Sequence, residues 1–174
     1  LQAAQQSNLA SVRIRAALSY EALERHGHQI AFSDGHPSKR SRAVYVGKFS
    51  DRDDPDRSSR WLDFLSNKKR LGSKIIIDYT DNHLATNSSA TLFYKDALKI
   101  ADAAICSSDT LAKHVQAYID LPIRIIPDPI EVDIELPIEK NNERSTALWF
   151  GHATNFSYFL NFIFKLKDFN HPLD

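Results

Sequence analysis

The chain has no methionine and a single cysteine, Cys106. One thiol excludes an intramolecular disulfide and fits a reducing compartment. The missing methionine and the start at Leu1 are expected of a segment from inside a longer protein, or of a sequence that has lost its methionines. No charge excess exists: 22 Lys and Arg balance 22 Asp and Glu, so nothing argues generally for nucleic acid or an acidic partner. No apolar run approaches the roughly 20 residues that span a bilayer, and no basic-then-apolar leader is present. Glycine is scarce, and no G-x-G-x-x-G occurs, which lowers the prospect of a dinucleotide-binding enzyme. Internal repeats and low-complexity tracts are also absent. What is there is a chain of 174 residues, 43% of them hydrophobic, enough for one ordinary domain with the beginning of a second.

The organising stretch is Lys74 to Ala85, KIIIDYTDNHLA. Three consecutive isoleucines suit a strand buried on both faces, as in a helix-covered parallel sheet. Polar residues then crowd the strand end and the following turn. In open parallel α/β sheets, ligands bind outside the carboxyl ends of the strands.

Around it, strand and helix patterns alternate. Val12 to Arg25 has helical spacing, with Ser11 as a cap and Gly27 as a left-handed stop. His28 to Ser33 and Ala43 to Phe49 read as strands. A helix from Arg57 to Leu71 carries Trp61, Leu62, Phe64 and Leu65 and ends at Gly72. Ser88 and Ser89 cap a helix running to Ala101. The strand Ala103 to Cys106, a helix from Asp109 to Tyr118 and the strand Ile123 to Ile126 follow. Short connections in this order predict an α/β fold with a Rossmann-like parallel sheet covered by helices. Residues 1–130 form that domain, and 131–144 a proline-bearing acidic linker. Residues 145–174 start a β-loop-α unit, with a strand at Thr146 to Phe150 and a helix from Phe156 to Leu166.

Several clusters suit chemistry, each beside a plainer account. Asp78, Asp81 and His83 supply a general base, a carboxylate for sugar hydroxyls, or metal ligands; alternatively Asp81 and Asn82 only cap a turn. Two carboxylates and one His are no specific metal signature, and none is assigned. Asp51 to Asp56 reads as a turn whose carboxylates favour a helix N-terminus, since a calcium loop would need Gly and Glu where Asp56 and Leu62 stand. Ser11, Arg13 and Arg15 make an anion site at the first helix start, or solvated surface arginines. Gly151, His152 and Asn155 lie in a strand-to-helix turn suited to a diphosphate. Ser107 and Ser108 contact a ligand or cap a helix. Lys68, Lys69, Arg70 and Lys74 touch anionic lipid or form a solvated helix end.

Four segments together resemble the GT-B glycosyltransferases, of the large family four type with retaining chemistry. NLASVRIRAALSYEALERHGHQIAF is similar to that family's first helix and second strand, with its Arg-x-Arg, Leu and Gly-His pattern. IIIDYTDNHL resembles its cleft-facing strand ending in Asp and His. ALKIADAAICSSDTLAKHV resembles its Ala-Asp, strand, Ser, helix segment. IRIIPDPIEV and then ALWFGHATNFSYFLNFI look like the crossover into the second domain.

The resemblance implies sugar transfer from a nucleotide-sugar to a glycan or lipid-linked acceptor, as in polysaccharide biosynthesis. The nucleotide-sugar is a co-substrate, and no cofactor or metal is implied. Asp81 and His83 would be catalytic. Ser11, Arg13, Arg15, Asp78, Asn82 and Ser107 would line the acceptor side, and Gly151, His152 and Asn155 the donor diphosphate. The family's first strand would precede Leu1, and most of its second domain, with a Glu-x7-Glu donor motif, would follow Asp174. Glu131 and Glu139 have that spacing but fall in the linker and are rejected. The implied location is the cytoplasm, with peripheral contact to the inner membrane left open. The rival class is a non-catalytic α/β binding or regulatory module.

Overall fold

A computed structural model describes residues 12–32, 40–49, 54, 56–129 and 156–164. The chain divides into two compact units, Leu1–Val132 and Asp133–Asp174. In the first, the described residues build a four-stranded, wholly parallel sheet in the order β1 (Ala43–Val46), β2 (Lys74–Tyr79), β3 (Ala103–Cys106), β4 (Ile123–Ile125). The fold is α/β and Rossmann-like, as the alternation of patterns predicts.

The register sets which side chains share a face. Val46 pairs with Ile77, and Ile77 with Ala104. Because side chains alternate along a strand, Ile75, Ile77 and Tyr79 point one way and Ile76 and Asp78 the other. The first set is fully buried under α2 (Arg57–Arg70) and α3 (Ser89–Ile100). There Phe64, Leu65, Phe93, Tyr94, Ala97 and Leu98 complete the core, joined by Val115 of α4 (Asp109–Tyr118). Each large apolar side chain buried in it contributes about 1.5–3 kcal/mol. The opposite face carries Tyr45, Ile76, Asp78 and Ile105 and is met by the first helix, α1.

Helix α1 covers Val12–Arg25, but its first turns, Val12–Ala17, are π-helical and only Leu18–Arg25 is α-helical. Wider turns of this kind occur often at functional sites. Gly27 ends the helix at φ 81°, and Gly72 ends α2 at φ 88°. Both adopt the left-handed conformation that glycine reaches without steric cost.

Two expectations are corrected. Residues 28–32 form no strand: they find no ladder partner among the described residues, and Phe32 instead stacks on Tyr20 at 5.3 Å. β1 ends at Val46 rather than Phe49. There the chain turns inward, so that Phe49 stacks on Phe93 at 3.8 Å and its amide donates to Tyr94 Oη at 3.0 Å. In the second unit the described element is α5 (Phe156–Ile163), a short apolar helix. The strand at 146–150 lies outside the described residues.

Candidate functional site

At the carboxyl end of β2 the chain leaves the sheet through a tight turn. The His83 amide donates to Asp81 O at 2.8 Å, and Asn82 between them sits at φ −77°, ψ 63°. These are the angles of an inverse γ-turn, a common way to leave a strand. The turn folds His83 back beside Asp81. A single 3-10 turn, His83–Ala85, follows.

The turn is pinned from below. Buried Tyr79 accepts from the Leu84 amide at 2.8 Å through its hydroxyl. The single hydroxyl proton of Thr91, at the start of α3, is shared between His83 O, 2.8 Å from Oγ1, and Thr86 O at 3.0 Å. Thr91 is also the third residue of the α3 capping box begun by Ser88, whose side chain accepts from the Thr91 amide. The cap that starts the helix thus also holds the candidate site.

His83 lies flat on Tyr94, ring centroids 4.7 Å apart and planes 10° apart. Its Nε2 is 3.8 Å from Asp81 Oδ2, beyond hydrogen-bond reach, and this buried nitrogen has no partner among the described residues. An unmet buried polar atom of this kind costs about 1–3 kcal/mol. The same Asp81 oxygen is taken by Lys48 Nζ at 2.7 Å. Burial, foremost, lowers the His83 pKa; Asp81 opposes that shift and Lys48 adds to it. His83 is therefore a neutral imidazole at physiological pH.

A second constellation lies on the other face of β2. Arg15 donates to both Asp78 oxygens, through Nε at 3.0 Å and Nη2 at 2.5 Å. Arg15 Nη1 donates to Ile126 O at 2.9 Å and lies 3.2 Å from Asp128 Oδ1. Asp78 is fully buried and Arg15 nearly so. The hydrogen bond to Asp78, foremost, raises the Arg15 pKa. Partial burial, then the nearby Asp78 charge, push the Tyr45 phenol up.

The sequence-predicted residues thus divide. Asp81, Asn82 and His83 come together in the γ-turn. Arg15 and Asp78 also meet, but each other's charge occupies them, so the pair joins α1, β2 and the segment after β4 rather than standing open to a ligand. Arg13 is half-buried on the same π-helical turns. Ser107 follows β3 at the same sheet end, half-buried, while Ser108 caps α4 by accepting from the Leu111 amide at 3.3 Å. Ser11, Gly151, His152 and Asn155 lie outside the described residues.

The acidic run resolves in its described part: Asp54 pairs with Arg60, and Asp56 precedes α2 without a side-chain cap. Among the described residues no three His, Cys, Asp or Glu side chains gather as metal ligands. The basic cluster lies at the opposite end of β2 and is largely engaged. Lys68 is buried over the Phe64 ring, Lys69 donates to Ile100 O, and Lys74 reaches Asp102 at 3.3 Å. No helix among the described residues is long and apolar enough to cross a membrane.

Lys48 and Tyr94 are the residues of the candidate site that sequence reasoning missed. Lys48 falls inside the strand expected over Ala43 to Phe49, and only the observed end of β1 at Val46 puts it after the strand as Asp81 follows β2. Tyr94 carried no signal, since an aromatic at helical spacing reads as core. No family model, curated protein or solved structure matches the chain.

Proposed function

We propose that residues 12–129 belong to the acceptor-side domain of a GT-B glycosyltransferase that moves a sugar from a nucleotide-sugar to a glycan or lipid-linked acceptor. The observation that carries the reading is the meeting of Lys48, Asp81 and His83 at the carboxyl end of a central parallel strand. A carboxylate there accepts from sugar hydroxyls. A neutral imidazole beside it can take a hydroxyl proton through the ring nitrogen other than buried Nε2. The four segments that resemble the family lie in the same order along the chain. Gly151, His152 and Asn155 keep the donor-diphosphate role the resemblance implies, and the nucleotide-sugar is a co-substrate, not a resident cofactor.

A second reading, a non-catalytic α/β binding module, has one observation in its favour. A carboxylate held by an ammonium at 2.7 Å is a weak proton acceptor. Assay of the full-length protein with labelled nucleotide-sugars separates the two. Under the first reading, donor turnover appears, and His83→Ala or Asp81→Asn lowers it by about 10²-fold or more. Binding of nucleotide-sugars without turnover, or no thermal shift with any of them, supports the module instead.

A further inference from the structure

Lys48 and His83 face one oxygen, and among the described residues only Lys48 bonds it. Asp81 Oδ2 is 2.7 Å from Lys48 Nζ and 3.8 Å from His83 Nε2. The His83 ring cannot close the gap alone, because it is stacked on Tyr94 and its backbone carbonyl is held by Thr91. Asp81 and Lys48 are different: each side chain is 47% exposed, so both can turn at little cost. An exposed Lys–Asp pair is weak, and an ammonium on a four-carbon stem exchanges partners readily.

We propose that Lys48 is the ligand-binding cation of this site, and that an oxyanion on the ligand draws it away from Asp81, which then turns to accept a hydrogen bond from His83 Nε2. A neutral hydroxyl cannot displace a carboxylate from an ammonium, whereas a phosphate or diphosphate can, because it offers several charged oxygens at once. Binding thereby satisfies the unpartnered nitrogen and converts His83 from an isolated imidazole into one oriented by a carboxylate, the arrangement that prepares a histidine for proton transfer. Lys48 acts on His83 only through Asp81 and is a positioning residue for it. The proposal rests on the sugar-transfer reading for the source of the anion alone; the exchange of partners is independent of it.

The groups facing His83 are Asp81 in its own turn, Lys48 after β1, Tyr79 of β2 and Tyr94 of α3. The two phenols stay neutral, since burial, foremost, raises both of their pKa values. Burial apart, Asp81 and Lys48 are therefore the charges that move the His83 titration.

The test is NMR titration of the histidine side-chain nitrogens in the full chain, with His83 assigned by its loss in His83→Gln. Inorganic pyrophosphate is the anionic probe and glucose the neutral one. Saturating pyrophosphate is expected to raise the His83 midpoint by about half a pH unit or more, a threefold change in its protonation equilibrium. Lys48→Gln should raise it similarly without ligand and weaken pyrophosphate binding at least about tenfold. Lys48→Arg should behave like the natural chain. An unmoved midpoint in Lys48→Gln, equal pyrophosphate binding by that variant, or a shift caused by glucose alone overturns the proposal. Absence of sugar transfer by the full-length protein, with the midpoint shifts intact, removes only the glycosyltransferase reading.

Discussion

The Arg15 guanidinium grips both oxygens of the Asp78 carboxylate across 63 positions of sequence, and both side chains are buried. A buried pair is costly to desolvate, so its removal as a unit differs from its rupture. Arg15→Met strands a buried carboxylate and is expected to lower stability by about 3–5 kcal/mol in urea unfolding. The double variant Arg15→Met with Asp78→Leu should recover most of that loss. Asp128→Asn, at the exposed end of the same cluster, should change stability by about 0.5 kcal/mol or less. A small effect of Arg15→Met would contradict the buried clasp.

Tyr94 carries two partners on its two chemical ends. Its hydroxyl accepts from the buried Phe49 amide, and its ring supports His83. Burial, foremost, pushes the phenol up to about 12. Tyr94→Phe keeps the ring but strands the amide, at an expected cost of about 1–3 kcal/mol. Hydrogen exchange at Phe49 should accelerate, while His83 titrates much as before.

Thr91 joins the α3 cap to the His83 turn. Thr91→Val is nearly isosteric but removes the hydroxyl that donates to His83 O and Thr86 O. An expected loss of about 1–3 kcal/mol should come with faster amide exchange over residues 83–86, read by mass spectrometry. Ser88→Ala, which removes the cap acceptor and its contacts with the Thr86 and Thr91 hydroxyls, should cost about 1 kcal/mol.

The His83 pKa lies below its ordinary value when folded, chiefly through burial. Between that depressed value and the unfolded one, near 6.5, the unfolded chain binds the proton and the folded chain does not. Stability should therefore rise with pH across this window and be lost as pH falls through it. His83→Gln should remove that part of the slope in urea midpoints measured from about pH 5 to pH 8, near the ordinary imidazole range. An unchanged slope would mean that His83 is no more buried folded than unfolded.

Local sequence determined the elements whose causes are local. KIII is a strand wherever a sheet accepts it, Ser88 and Ser108 cap, and Gly27 and Gly72 stop helices because only a positive φ lets the chain turn there. The carboxyl end of β2 was legible as a candidate site for the same reason, since strand direction follows from alternation with helices. Tertiary structure alone decided which charges are spent on each other. Arg15 reads as a free cation and Asp78 as a free carboxylate until the sheet brings them together. Lys48 reads as surface until β1 pairs in register with β2 and sets it beside Asp81. His28 to Phe32 has strand chemistry but gains no partner strand among the described residues, and a strand exists only through the ladder that another segment supplies. Pairing between distant residues depends on the path of the whole backbone, which no local pattern encodes.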